Sequence, residues 1–270
     1  MDQLVKDTTF VAIDIETTGL MPVLDKIVEI GAVKFRNNKE IDVFDGLVDP
    51  GIPVSQEAYE ITGITEEMLK GKPAIEDILP EFIDFLGDAV PIAHNATFES
   101  VFLSYDISRF GMKVHEIPLL DTCFLPRSVY PTFSSYALVN LAKNLSIESE
   151  IFHRALADAR TCMEIFWKCI TKIGRMNKLT MAQLQIMNGP SLSLGTGGLL
   201  LEDQFYSIRN AIQSGKNVKI VYRDNNGAIT IRNVTPLSVN LFHNKAKVEA
   251  YCHMRGEKRS FRLDRIIEIR

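Results

Sequence analysis

Five residues in three short stretches could do chemistry together: Asp14 and Glu16 in "FVAIDIETTGL", Glu99 in "HNATFESVFL", and His153 and Asp158 in "HRALADA". Phe10 to Ile13 and Ile15 form a nearly continuous apolar run, which suits a strand covered on both faces. Strand side chains two apart point to the same side. Asp14 and Glu16 therefore stand together at the end of an apolar strand. Burying like charges is costly unless a cation or a proton resolves them. One reading is a strand end open to solvent; the other is half of a metal site. Magnesium takes oxygen donors in near-octahedral geometry and keeps some waters, so a few more carboxylates would suffice. Glu99 opens a helical stretch just after an apolar strand, near a helix N-terminus where negative charge is favourable. The alternative is an ordinary first-turn helix carboxylate. Asp158 lies beside a stripe of Leu156, Ala159, Met163 and Phe166. His153 stands one turn earlier, at the helix entry, a position that also suits a structural histidine.

The elements that must position these residues follow from periodicity. Strands are expected over 8–15, 27–36 and 39–48, the last two joined by "RNNKE", where Asn37 and Asn38 tolerate unusual backbone angles. Helical patterns cover 74–87, with Pro80 as a break or kink, and 97–110, 134–145 and 154–174. Short strands fall at 89–94 and 118–122. Three strands in succession followed by alternating helix and strand argue for a mixed sheet with helices on its faces. The stretch 176–203, with Gly189, Pro190, Gly195, Gly197 and Gly198, is expected as a linker between a first domain, 1–175, and a second, 204–270. In the second, a short helix stops at Gly215. Strands then follow closely, two of them flanking the hairpin signal "NNG". Several short strands in under 70 residues suggest a small barrel.

Together the three opening stretches resemble the histidine-type branch of the DEDD 3′–5′ exonuclease superfamily, the group of polymerase proofreading exonucleases and RNase T. The resemblance covers roughly residues 8–172 and extends to "DKIVEIGAVKF", "YEITGITEEML", "LLDTCFLPRSVYP" and "ALVNLAKNL". It implies an RNase H-like mixed α/β fold and a metal-dependent enzyme hydrolysing phosphodiester bonds at the 3′ end of single-stranded DNA or RNA, releasing nucleoside 5′-monophosphates. It further implies that Asp14, Glu16, Glu99 and Asp158 hold two divalent ions, Mg2+ or Mn2+, and that His153 takes the proton from the attacking water. Thr17, Thr18 and Asn95 are the implied contacts to the terminal nucleotide. Glu99 departs from the family pattern, which has Asp there. The charge is kept and the side chain is one methylene longer.

Residues 204–270 resemble a WYL domain, a small Sm- or SH3-like barrel, through "VKIVYRDNNGAITIRNVTPLSV" and "VEAYCHMRGEKRSFRLDRI". The name-giving Trp-Tyr-Leu is replaced by Lys247, Val248 and Glu249. The resemblance implies binding of nucleic acid or a nucleotide-like ligand, for which Arg232, Arg259, Arg262 and Arg265 are candidate phosphate contacts. Tyr251 or Phe261 is a candidate base-stacking ring; both also fit a barrel core.

Charge supports a division of labour. Residues 1–203 carry 17 Lys and Arg against 29 Asp and Glu, a balance of −12. Residues 204–270 carry 13 against 5, or +8, within a whole-chain charge of −4. Phosphate affinity comes largely from Lys and Arg, so the second unit is expected to hold strands that the first one cuts. Two alternatives stand: a regulator that binds nucleic acid without cutting it, motivated by Glu99, and a proofreading subunit associated with a DNA polymerase or, through "QLQIM" (183–187), a sliding clamp. The four cysteines form no CxxC pair and suit free thiols in a reducing compartment. With no membrane-length apolar run and no secretory signal, a cytoplasmic location is expected.

Overall fold

The computed structural model describes residues 3–20, 22, 24–112, 114, 118–148, 153–174, 177–188, 192–194, 207–208, 210–224, 228–241, 246–262 and 265–270. Contacts divide the chain into two compact units, residues 1–18 with 27–198, and 19–26 with 199–270.

The first unit is built on a six-stranded mixed sheet. β1 (Phe10–Thr17), β2 (Ile27–Arg36) and β3 (Lys39–Leu47) form an antiparallel meander. Its tight turn holds Asn37 at φ 49° and Asn38 at φ 57°, as the Asn pair predicts. β4 (Val90–Ala93) and β5 (Pro118–Asp121) continue parallel to β1, and β6 (Leu192–Ser193) closes the order β3-β2-β1-β4-β5-β6. The carboxyl ends of β1, β4 and β5 thus meet at one edge, where open α/β sheets place their ligands.

Alternation along β1 decides which side the acidic pair faces. Val11, Ile13 and Ile15 enter one core with α3 (Ile75–Leu86) and α4 (Thr97–Arg109). Phe10 and Ala12 enter the other, with α5 (Leu125–Val129) and α7 (Ala155–Ile173). There Phe10 packs against Phe35 and Phe166, with ring centroids 5.6 and 4.9 Å away. Each such buried ring contributes roughly 1.5–3 kcal/mol. Asp14 and Glu16 continue the Phe10–Ala12 row and point to the α7 side. Helix α3 runs through Pro80 without ending. Its apolar stripe of Ile75, Ile78, Leu79, Phe82 and Leu86 packs on the sheet and outweighs the lost backbone bond.

Two short helices are additional to the sequence expectation: α1 (Gln56–Thr62), whose Ser55 caps Ala58 N–H, and α2 (Glu66–Leu69), whose Thr65 caps Met68 N–H. The expected strand and helix at 118–122 and 134–145 appear as β5 and α6 (Leu138–Asn144). Within the stretch expected as linker, α8 (Met181–Asn188) and β6 belong to the first unit. Leu179, Met181 and Leu184 join the α7-side core, and Leu194 the other. These four buried apolar residues hold the segment despite its Gly-rich continuation; Gly189, Pro190, Gly195, Gly197 and Gly198 lie outside the described residues.

The second unit is an antiparallel five-stranded sheet of β7 (Val218–Arg223), β8 (Ile229–Leu241), β9 (Ala246–Cys252), β10 (Glu257–Arg262) and β11 (Ile266–Ile269), ordered β10-β9-β8-β7-β11. Among the described residues no pairing joins the two ends, β10 and β11, into a closed barrel. Residues 207, 208 and 210–214 are helical and end at Gly215, at φ 63°. The "NNG" turn lies outside the described residues, while β7 and β8 pair on either side of it. No described helix of the chain is long and apolar enough to cross a membrane.

Candidate active site

Asp14 and Glu16 stand half-buried at the end of β1, and Asp158 comes to them from the first turn of α7. One carboxylate oxygen from each of the three lies within 4.8 Å of the others. Asp158 is 6% exposed. Its Oδ2 accepts a hydrogen bond from the His153 backbone N–H at 3.0 Å, and its Oδ1 has no protein partner. Glu99, in the first turn of α4, stands outside this group of three but is buried, with an unpartnered Oε2.

These carboxylates share an electrostatic problem. Burial, reinforced by Glu99, Glu16, Asp158 and Glu29, holds Asp14 well above the usual carboxylate range. Burial and then Asp158 and Glu29 push Glu16 up to about 8, against partial relief from Arg154. Burial raises Glu99 and Asp158 as well. Without a cation, the cluster is relieved by taking up protons. An all-oxygen donor set with lone pairs left open suits hard divalent cations such as Mg2+ or Mn2+, so the residues present fit such an ion.

His153 is exposed and takes a left-handed backbone at φ 63°. The other described histidine at this edge, His94, is a poor base. Burial pushes it down to about 4, and its ring nitrogens face Thr122 Oγ1 at 2.9 Å and Cys123 Sγ at 3.3 Å. Thr17 and Thr18 are buried at the end of β1. Asn95 is exposed, at φ 66°, and its N–H donates to Asp121 Oδ1 at 3.1 Å.

Three residues here were not singled out from the sequence: Asp121, Glu29 and Arg154. Asp121 ends β5 at 2% exposure, accepting from the Asn95 and Cys123 N–H groups while Oδ2 has no partner. Glu29, 1% exposed, lies directly across the β1–β2 ladder from Glu16 and binds Arg154. Asp121 and Glu29 carry the signal that exposed Asp14, a charge set into an apolar strand.

The candidate residues of the second unit are not gathered on one face. On β9, Val248, Ala250 and Cys252 are buried and alternate with Lys247, Glu249 and Tyr251. Register places Lys258 and Thr235 beside the exposed Tyr251, and Arg262 beside Lys247. Arg259 pairs with Ala250 on the opposite face and forms an ion pair with Glu257 at 3.2 Å. Arg232 pairs with Ile220, and its Nε donates to Thr230 Oγ1. Arg265 is half-buried just before β11. Phe261 is core, 3% exposed and edge-to-face with Tyr222.

A mixed sheet flanked by helices, with carboxylates gathered at the end of β1, is the setting of a nuclease unit of the RNase T exonuclease type. Among solved structures it is similar to exonuclease X in complex with 5′ overhanging duplex DNA, with 28% identity and a TM-score of 0.53 over 67% of this chain and 99% of that one. The nuclease domain of 3′hExo, a DEDDh family member bound to rAMP, shares the fold at 18% identity and a TM-score of 0.54, over 60% of this chain and 92% of that one. The exonuclease family profile of RNase T type matches residues 11–166, and the chain belongs to that family of 3′–5′ exonucleases, which use divalent metal ions. A WYL domain profile matches residues 203–270. The DNA polymerase III PolC-type protein of Halalkalibacterium halodurans is 42% identical over 164 residues, 61% of this chain and 11% of that protein. Its counterpart in Thermotoga maritima is 40% identical over 186 residues, 66% of this chain and 14% of that protein. The chain thus spans little more than a tenth of these curated relatives.

Proposed function

We propose that the chain removes nucleotides from the 3′ end of single-stranded DNA or RNA, with a nuclease domain that extends past the expected boundary at 175 to take in α8 and β6, and a strand- or nucleotide-binding WYL-like domain in 204–270. The observation that carries this reading is the convergence of Asp14, Glu16 and Asp158 within 4.8 Å, with Glu99 buried beside them. These four would hold two divalent ions, Mg2+ or Mn2+. Such ions lower the pKa of a bound water and stabilise the attacking and leaving oxygens. His153 takes the water's proton, the role a histidine suits near neutral pH. Its exposed position at the mouth of the cluster and the neutral, engaged state of His94 support that assignment. The water oxygen bonds to phosphorus, the P–O3′ bond breaks, and the departing 3′ oxygen takes a proton. The nucleotide leaves with its 5′ phosphate. Thr17, Thr18 and Asn95, at the ends of β1 and β4, contact the terminal nucleotide.

In the second domain, Tyr251, Arg262 and their neighbours Lys247 and Lys258 support strand binding on one face of the sheet, with Arg232 and Arg265 as further contacts; Arg259, on the opposite face and paired with Glu257, is the candidate expected to contribute least. Closure of that sheet into an Sm- or SH3-like barrel, and a cytoplasmic location, belong to the same proposal. The PolC-type relatives favour a second reading, a proofreading exonuclease that works beside a DNA polymerase or its clamp. End-labelled DNA and RNA oligonucleotides, incubated with Mg2+, Mn2+ or EDTA, test the activity. The expected result is a metal-dependent ladder from the 3′ end, absent in Asp14→Ala. No ladder on either substrate would favour binding without cleavage. Co-purification with a polymerase would favour the second reading.

A further inference from the structure

Glu29 differs from every other buried carboxylate around the site. Glu99, Asp121 and Asp158 each keep an oxygen with no protein partner. Glu29 is saturated. Arg154 reaches it with Nε at 3.0 and 3.2 Å and with Nη2 at 2.6 Å, and the Ala155 N–H donates to Oε2 at 2.9 Å. A carboxylate so filled is not an open ligand position. It does something else: it fixes the start of a helix.

Ala155 is the first residue of α7, and Arg154, at the cap position, makes no side-chain cap of its own. The first N–H groups of a helix lack internal partners. Glu29 supplies one acceptor from the neighbouring strand, where the helix dipole also favours a negative charge. Two residues further along β2, Gly31 lets the helix come close. A Cβ there would lie 2.1 Å from Leu156 N and 2.2 Å from the Ala155 carbonyl carbon. Gly31 pairs with Asp14 and Glu29 with Glu16. The strand positions that anchor α7 are therefore those directly opposite the two β1 carboxylates. His153 and Asp158 flank the anchored residues on either side.

We infer that Glu29 and Arg154 are a positioning pair: their bidentate contact, with the Ala155 N–H, clamps the first turn of α7 onto β2 and so sets Asp158 and His153 against Asp14 and Glu16. The inference rests on the exonuclease reading of that site. The charges have a reason beyond packing. A neutral Gln at position 29 would keep the shape but could not accept the whole Arg fork, and its NH2 would face donors. Arg154 in turn sets a positive charge beside Glu29, Asp45 and Glu16.

The test uses the full chain and two readouts: Mn2+ affinity by calorimetry, and kcat and KM on a short single-stranded oligonucleotide, both well below Tm. Glu29→Gln and Arg154→Met are expected to weaken Mn2+ binding and lower kcat by about 10–100-fold, the usual range for groups that orient ligands, with KM changed less than about threefold. Arg154→Lys, which keeps charge but not the fork, is expected to fall between wild type and Arg154→Met. Arg160→Met, on the same helix, which removes an exposed pair with Glu40 of β3, is expected to change neither readout. Should Glu29→Gln not fold, the two Arg154 variants carry the comparison, since that side chain is 37% exposed. Mn2+ affinity and kcat within about twofold of wild type in Arg154→Met, with only Tm lowered, would make the pair a brace for the fold and overturn the inference. A wild-type chain that binds no Mn2+ and cuts nothing would instead remove the site reading beneath it.

Discussion

The two units use charge in opposite ways. In the first, carboxylates are buried and drawn to one point at the end of β1, where three of them lie within 4.8 Å. In the second, positive charges are spread over strand faces, and some are already matched, as Arg259 is by Glu257 and Arg270 by Glu268. Concentrated buried charge is expensive and fails sharply when altered. Dispersed surface charge is screened, additive and tolerant. Single substitutions should therefore have large effects in the first unit and small ones in the second.

The largest effect belongs to the cluster. Asp14→Ala and Asp158→Asn should each lower kcat by roughly 10³-fold or more, since they remove a carboxylate from a site contributing several kcal/mol of charge stabilisation. Single-turnover cleavage at saturating Mn2+ reads this; loss of less than tenfold would break the comparison. His153→Ala should follow, at about 10²–10⁴-fold, the usual range for a positioned proton acceptor. Its loss should fall on kcat rather than on strand affinity.

The cluster also predicts a pH dependence that the second unit should lack. Glu16 rises from its ordinary 4.5 to about 8, and Asp14, Glu99 and Asp158 rise with it. A raised carboxyl binds its proton more tightly in the folded chain than in the unfolded one. Its stabilising contribution is complete below pH 4.5 and is lost as pH climbs through the folded value. The metal-free protein should therefore lose stability between about pH 4.5 and 8, by at least roughly 5 °C in Tm. Added Mn2+ should restore more as the pH rises over that range, because it displaces fewer protons. Calorimetric melts across the range, repeated on Asp14→Asn, should show the slope reduced in the variant; an unchanged slope would mean these groups do not titrate as a cluster.

How much of this is legible in the sequence depends on the kind of signal each residue leaves. Asp14 and Glu16 are conspicuous because an apolar strand has no ordinary use for charge, and their two-residue spacing puts them on one side. Glu29 in "IVEIG" and Asp121 in "LLDT" carry the same mark. Arg154 and the Asn95 N–H, which they bind, are distant in sequence, and the one near partner, the Cys123 N–H, is a backbone group that leaves no mark in residue type. The short helices α1 and α2 span 7 and 4 residues, too few for a periodic stripe, and only the caps Ser55 and Thr65 announce them. In 177–194, a few buried apolar residues hold helix and strand where the neighbouring Gly-rich composition suggests a linker. Candidate contacts in the second unit are legible by residue type, whereas their faces depend on register, and the bulge between Pro236 and Ser238 in β8 shifts that register.

A smaller effect is expected at the one departure inside the cluster. Glu99→Asp should keep cleavage within about tenfold of wild type while changing the ratio of Mg2+- to Mn2+-supported rates, because the shorter carboxylate alters reach but not charge. An identical ratio would mean that position 99 does not face the ion.

The smallest effects should lie in the second unit, and their pattern discriminates between its faces. Tyr251 is 38% exposed beside Lys258, so Tyr251→Ala should weaken strand affinity by roughly 1–3 kcal/mol if a base stacks there. Lys258→Ala should reduce the salt dependence of binding by about one contact. Arg259 faces the other way and already has Glu257, so Arg259→Ala should change affinity little. None of the three should alter kcat on a dinucleotide. Fluorescence anisotropy with a long labelled strand at two salt concentrations separates these outcomes. A larger loss from Arg259→Ala than from Tyr251→Ala would assign the strand to the Arg259 face, and equal silence from all three would leave the acidic unit binding its substrate through the metal site alone.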